Sequence, residues 1–432
     1  MSYPENMQFN LPAFDNGSVK RKNRTYASNG SSFTQGQDLK LSLPQIARTF
    51  ASDVKVCGKM TITHSGTINT DKSNIIGGAY ALLRDYVLRA NNSIVVDELY
   101  NMNVLSHHVI NMSYTLDDKS TQFQMLTSEE SPEKNLGEEV FSAANRNNLV
   151  FDFCISVPGF ISDTKMIPLH GCTFDMNFII EDIANIFVAS TANGSVTNMT
   201  LTDMRLEYTT LQLSIEGFNA WMGQNTDGGI ITMHTSQWLY NTSVLPASTQ
   251  GNIQIPVGSR AGSIRGVLMA CVPANINCGK FASVLPNADQ VSLLIGGSQY
   301  PAIPLDCIND PSLVYSELLF WHGGPFGNNG SCIKRKNFLK GSTATGRLTA
   351  YVTNDVANYS TFGTEMGLIY IDLEKHDGSS IVSGINNQGT STSIQLNIPT
   401  ALSAQVHTLY AFFYVNASII VDFNTGIIER RI

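Results

Sequence analysis

The sequence predicts an all-β chain made of two tandem β-sandwiches, each with about eight strand candidates and one short helix. Three observations predict it. Short apolar or alternating runs recur along the chain, and no long stretch keeps the 3.6-residue period of an amphipathic helix. A strand–turn–strand–helix unit at residues 291–321 has a counterpart at 85–112. The other strand candidates follow in the same order in both halves, at offsets of roughly 205–220 positions.

In the 291–321 unit, an apolar run ends at Gly296-Gly297, a dipeptide that reaches positive φ without steric cost. A second extended piece carries Pro301 and Pro304, which keep the chain extended. Asp310 then precedes Pro311, at the place of a first helical residue, and Val314, Leu318 and Trp321 recur at helical spacing. In the earlier unit, Asn91-Asn92 is the turn. Asp97 is expected to cap a helix whose apolar face is Leu99, Met102, Leu105 and Val109.

Taken from the start, residues 1–35 are polar and read as an arm, with Lys20, Arg21, Lys22 and Arg24 as its basic cluster. A solvated tail and a contact with a membrane face or nucleic acid are both open readings of that cluster. Residues 36–217 form the first sandwich. Leu39, Leu41 and Leu43 alternate with polar residues, as do Met60 and Ile62, and later Phe174, Met176 and Phe178. Strands are also expected at 148–157 and 206–215. Residues 116–148, with five glutamates, read as a surface excursion. The join falls at 216–225, and residues 218–432 form the second sandwich. There Ile253-Gln254-Ile255-Pro256 echoes Leu41-Ser42-Leu43-Pro44, and 264–272 answers 56–64. A second excursion, 323–346, holds Lys334-Arg335-Lys336. The strand at 368–373 answers 149–155, the alternation Ile394, Leu396, Ile398 answers 174–178, and 408–421 closes the chain.

Composition narrows the function. Of 432 residues 43% are hydrophobic and 14% charged, and the net charge is −8. Bulk electrostatics do not make this chain a nucleic-acid binder. Sparse charge on a large chain points to surface buried against neighbours. The seven cysteines are irregularly spaced, without a Cys-x-x-Cys, which implies a reducing compartment and no disulfide framework. The first residues lack the basic-then-apolar architecture of a secretory signal, and no run reaches the roughly 20 apolar residues of a membrane-spanning helix. Asn-x-Ser/Thr triplets, as at Asn193, Asn198 and Asn416, are those expected by chance in an Asn- and Ser-rich chain.

The sequence carries no familiar motif of catalysis. Gly58-Lys59 is followed by methionine and is no phosphate loop. There is no His-Glu-x-x-His, Gly-x-Ser-x-Gly or Gly-x-Gly-x-x-Gly. A tandem metal-binding barrel enzyme of the bicupin type needs a His-x-His pair, and this chain has the adjacent His107-His108, about 100° apart on a helix. They read as packing or surface histidines. No sequence signal marks a carboxylate pair for glycoside hydrolysis. Trp221, Trp238 and Trp321 are candidates for a sugar-stacking platform, with burial as the competing reading.

The 291–321 unit, the segment Ser259-Arg260-Ala261-Gly262-Ser263-Ile264 before an apolar strand, and Glu374 with Ser383-Gly384-Ile385-Asn386 before the 394–398 alternation carry a family resemblance. The chain resembles the double jelly-roll major capsid proteins of adenovirus hexon, tectiviruses, virophages and polinton-like viruses, over about residues 30–430. The resemblance implies two eight-stranded jelly rolls with short flanking helices. It implies a homotrimeric, pseudo-hexagonal capsomer that tiles an icosahedral shell of the virion with neighbouring trimers, penton and minor capsid proteins. It implies no enzyme activity, no cofactor, no metal and no small-molecule substrate. The chain would be made and assembled inside the host cell. The basic arm would face inward, towards an internal membrane or the genome. The alternatives are a lectin-like tandem sandwich and a bicupin-type enzyme without the usual metal motif.

Overall fold

The computed structural model describes residues 18–64, 72–75, 78–113, 126–127, 140–142, 147–164, 166–189, 196–273, 279–281, 283–319, 367–374, 384–399 and 406–432. Both expected excursions lie almost wholly outside these residues, as do Asn193, Cys278, Trp321, Cys332 and Ser383.

Sixteen principal strands fall into two sets of eight. The first set is β1 (Val19–Tyr26), β2 (Asp38–Leu43), β3 (Thr49–His64), β4 (Leu83–Ala90), β5 (Ile94–Leu99), β6 (Asn147–Ser156), β7 (Phe174–Ile180) and β8 (Val196–Gln212). The second is β9 (Ile230–Leu245), β10 (Gly251–Pro256), β11 (Ile264–Pro273), β12 (Gln290–Ile295), β13 (Ser298–Leu305), β14 (Leu368–Asp372), β15 (Thr392–Ile398) and β16 (His407–Asp422). A final strand, β17 (Ile428–Arg431), pairs with β16. The sheet orders are β1-β8-β3-β6 and β2-β7-β4-β5 in the first set, and β9-β16-β11-β14 and β10-β15-β12-β13 in the second. Adding eight to each label of the first set gives the second. This is one antiparallel eight-stranded jelly roll, built twice. Short pieces at Ser32–Thr34, Ile167–Pro168 and Leu126–Thr127 extend the first β1-containing sheet.

Period-two sequences explain the layers. β7 reads FDMNFII and buries Phe174, Met176, Phe178 and Ile180, while the residues between are only partly covered. It pairs with β2, whose Leu39, Leu41 and Leu43 are fully buried on the same face. Each fully buried side chain of this size stabilises the fold by about 1.5–3 kcal/mol. The turns Asn91-Asn92 and Gly296-Gly297 join β4 to β5 and β12 to β13, equivalent places in the two rolls. All four residues have positive φ, the conformation of a tight two-residue hairpin turn.

Among the described residues five α-helices accompany the strands: α1 (Met102–Ser113), α2 (Phe160–Asp163), α3 (Ile183–Ile186), α4 (Ile215–Asn225) and α5 (Pro311–Leu319). α4 is the join. Ser214 caps it, its hydroxyl accepting from the Gly217 amide at 2.9 Å. Trp221 and Phe218 of α4 then pack among Phe50 and His170 of the first roll and Phe423 of the second.

Three expectations change. Asp97 caps no helix: it is buried inside β5, and α1 begins at Met102. Its carboxylate instead accepts from Tyr86 Oη and the Phe160 amide, both at 2.9 Å. The basic segment expected ahead of the first strand is itself strand β1, paired residue for residue with β8. β9, which the sequence reading did not anticipate, is the equivalent first strand of the second roll. Its sequence mixes apolar and polar residues without a clean period of two.

Candidate functional site

The distinctive geometry among the described residues is a polar seam where the two rolls meet. The first roll contributes β5, α1, α2 and the α3 region. The second contributes β9, β17 and the 3-10 turn Gly279–Phe281. At the centre, Lys280 makes an ion pair with Glu181, which is completely buried. Lys280 Nζ also donates to Asn101 Oδ1 at 2.9 Å, and Asn103 Nδ2 donates to Glu181 at 2.7 Å. Burial pushes the Glu181 carboxyl up, but the Lys280 ammonium and the amides of Asn185 and Asn103 outweigh it and hold the group below its usual range.

Around this pair, Asn101 Nδ2 donates to Tyr240 Oη at 2.9 Å, and Gln237 Nε2 to the Val96 carbonyl at 2.9 Å. Arg430 of β17 donates to Gln237 Oε1 at 3.0 Å and lies 3.6 Å from Glu98. The Ser236 amide donates to Asp163 Oδ2 at 3.2 Å. In both ion pairs of the seam the first roll supplies the acid and the second the base. Burial pushes Asp97 of the same flank up to about 6, against the hydrogen bonds from Phe160, Tyr86 and Glu98 and the Arg430 charge, which favour its charged form.

Lys20, Arg21, Lys22 and Arg24 lie exposed along β1, the outermost strand of its sheet, and Arg24 is 3.0 Å from Glu207 of β8. They do not meet the seam. His107 and His108 sit on the buried side of α1, where His107 packs edge-on against Phe281 at 5.4 Å. Burial drives His108 down to about 3, so it stays neutral. Trp238 is buried against Tyr414 with centroids 4.7 Å apart. With Trp221 in the aromatic cluster of α4, neither described tryptophan is an open platform. Among the described residues no group of three or more His, Cys, Asp or Glu side chains has the geometry to hold a metal ion.

The loose sequence motifs of the second half converge in space. Ile264 and Ile385 exchange backbone hydrogen bonds at 2.9 Å. Asn387, fully buried, accepts from the Ala261 amide at 2.7 Å and donates to the Ser259 carbonyl at 2.9 Å. Gly384 passes so close that a Cβ there would lie 2.8 Å from the Ile264 carbonyl oxygen. Glu374 pairs with Arg265, whose guanidinium lies 4.7 Å over the Tyr414 ring. This cluster locks β11 to the segment leading into β15. The seam itself leaves no motif in the sequence. Glu181 and Lys280 stand far apart in the chain, and only the docked rolls bring them together.

No protein-family model matches the chain, and no curated protein does. Solved structures do. The PBCV-1 capsid protein VP54, fitted into a reconstruction of the virophage Sputnik, superposes with a TM-score of 0.58 at 11% identity over 96% of both chains. The mavirus major capsid protein gives 0.55 at 11% identity, covering 100% of this chain and 95% of that one. The Faustovirus major capsid protein gives 0.51 at 8% identity, covering 93% and 90%. The matches run the full length of both rolls, so the chain has the double jelly-roll fold of these viral major capsid proteins.

Proposed function

We propose that this chain is a viral major capsid protein that forms homotrimeric, pseudo-hexagonal capsomers, which tile an icosahedral shell with neighbouring trimers, penton and minor capsid proteins. One observation carries the reading: two rolls of identical strand order stand side by side in each chain, along the whole length of solved capsid subunits. Three chains then present six similar lobes to a hexagonal lattice site. Closed rings need contacts between unlike surfaces, and a chain with two similar but non-identical lobes supplies them. The role is structural, the location is the virion, and the mechanism is association: burial of roll flanks within the trimer, then weaker, reversible contacts between trimers. A lectin-like reading lacks support, because Trp238 is buried and Trp221 is packed among aromatics.

Light scattering of the purified protein tests this. The expected mass is about three times the 47.1 kDa of one chain, with three-fold particles in negative-stain images. A stable monomer at micromolar concentration overturns it.

A further inference from the structure

We infer that Cys57 and Cys154 form a thiol–disulfide exchange site: small disulfides of the glutathione class oxidise the pair, and the resulting bridge fastens β3 to β6 on the outer face of the first roll. The chemistry needs only the fold described above and stands apart from the trimer reading.

All five described cysteines are free thiols. Cys57 and Cys154 stand directly opposite each other in the antiparallel pairing of β3 with β6, and the Cys57 thiol donates to the Cys154 sulfur. Opposed residues of an antiparallel pair have Cα atoms about 4.5–5.5 Å apart, inside the span that a disulfide bridges. The neighbours give the two thiols different tasks. On its other side Cys57 is paired with Arg205 of β8, which donates to Glu207 at 2.9 Å and to Asp203 at 2.7 Å. Cys57 is thereby walled in and 2% exposed, whereas Cys154 is only partly covered. Lys55, Lys59 and Asp152 on the same face are exposed, so a charged peptide disulfide reaches Cys154 from water. Cys172, Cys271 and Cys307 are buried, and burial pushes each of their thiols up.

Cys154 is the attacking group. The hydrogen bond from Cys57 and the charge of Lys55 favour its thiolate. That thiolate attacks one sulfur of the incoming disulfide. A Cys154–glutathione bond forms, and the second glutathione leaves as a thiolate that takes a proton from water. Until then Cys57 keeps its proton, held first by its hydrogen bond to Cys154, then by burial, then by the Cys154 charge. Capping Cys154 removes the first and the third of these. The Cys57 sulfur then attacks the Cys154 sulfur, and its proton goes to the departing glutathione. Two protein thiols are oxidised to one disulfide, and one glutathione disulfide is reduced to two thiols. Reduced glutathione drives the same steps backwards. A shell protein built in a cell and released in particles passes from reducing to oxidising surroundings. On the capsid reading, the pair stays open while chains assemble and shuts after release.

The test incubates the folded full-length chain with glutathione disulfide at about pH 7.5, then acidifies and unfolds it and counts free thiols by maleimide labelling and intact mass. The parent should retain no glutathione and offer five of its seven cysteines to maleimide, two fewer than the reduced chain, with peptide mapping joining Cys57 to Cys154. Cys57→Ser should retain one glutathione on Cys154. Cys154→Ser should be capped at Cys57 at least about tenfold more slowly. Circular dichroism shows that each variant is folded. Because the bridge joins residues 97 positions apart, the oxidised parent should unfold at higher urea than the reduced parent, and dithiothreitol should remove the gain. Cys154→Ser should show no gain. A parent that keeps seven free thiols, holds glutathione on Cys154 without passing to a bridge, or bridges another pair overturns the inference. An oxidised parent that unfolds no later than the reduced one overturns the fastening role. A monomeric chain that still joins Cys57 to Cys154 upholds the site, and only the trimer reading falls.

Discussion

The helix after the hairpin is nearly swallowed in the first roll and half-bare in the second. α1 lies against the other roll and buries Asn103, Ser106, His107, His108 and Asn111 along with its apolar residues. α5 keeps two buried positions on the one face that packs on its own roll. Both helices show similar apolar spacing in sequence. The difference lies in what packs on them: α1 meets β4 and the turn Gly78–Leu82 of its own roll together with Gly279–Phe281 of the other, while α5 rests on β14, so burial here is set by packing partners rather than by local amphipathicity. Among the polar residues of α1, Asn103 finds Glu181 and the Ala81 carbonyl, and Asn111 finds His107, all within the first roll, while the Ser106 hydroxyl and the His108 ring are buried without a hydrogen-bond partner among the described residues.

If the seam is what sets the two rolls apart, removing its central cation should cost most. Lys280→Met leaves Glu181 buried without its counter-ion and should destabilise the chain by about 3–5 kcal/mol in urea unfolding. Loss of less than about 1 kcal/mol would mean that water reaches the pair and the seam is looser than its geometry indicates. The double variant Lys280→Met, Glu181→Leu should recover most of the loss.

Asp97 sharpens the comparison through pH. Its folded pKa, about 6, lies above the ordinary 3.8, so the neutral form is favoured in the folded chain. The stability it contributes is fully present below about pH 4 and is lost as pH rises through 6. That loss is about 3 kcal/mol for the shift of roughly two units. Glu181, held low, acts oppositely and loses its contribution as pH falls. The difference between parent and Asp97→Asn unfolding curves over pH 4–7 isolates the first effect; parallel curves would refute it.

Two glycines at matching places in the rolls, Gly58 on β3 and Gly266 on β11, give a smaller contrast. A Cβ on Gly58 first meets the Met204 sulfur, on a side chain that can swing away. One on Gly266 meets the Tyr370 ring, which is rigid and buried. Gly266→Ala should therefore cost about 1–3 kcal/mol and Gly58→Ala about 1 kcal/mol less. Equal melting temperatures for the two variants would count against this packing.

The mildest difference is in thiol reactivity. Cys57 and Cys154 sit directly opposite each other on β3 and β6 with sulfurs 2.6 Å apart. The Cys57 hydrogen bond, aided by Lys55, lowers the Cys154 thiol to about 7. Burial pushes Cys172 up to about 11, Cys271 up to about 12 and Cys307 higher still. Brief alkylation at pH 7.5 should label Cys154 first among these five described cysteines. First labelling of Cys271 or Cys307 would show that the second roll opens more readily than the first.

What the sequence discloses follows from how local each cause is. Phe174, Met176 and Phe178 announce β7 because one buried face forces a period of two. Asn91-Asn92 and Gly296-Gly297 announce the hairpins because few residues reach positive φ. β1 escapes notice because it is the last strand of its sheet path and its sequence is polar enough for an uncovered edge, whereas β9 mixes apolar and polar residues without a clean period of two. VKRKNRTY then reads as a basic tail. Asp97 misleads because a carboxylate before a helix pattern is usually a cap, and only the fold reveals Tyr86 and Phe160 as its donors. The seam is invisible for a different reason. It depends on docking between rolls, which leaves no period and no motif.

The hooking of each first strand onto its last, Val19 to Gln212 and Ile230 to Asp422, also orders events during synthesis. No roll can shut until its eighth strand has been made, so β1 waits through nearly two hundred residues of elongation. The first roll can then close before the matching strand of the second has left the ribosome. Two rolls of identical winding invite an exchange of strands between them. Closing them one after the other removes the opportunity, because β8 is already occupied when β9 emerges.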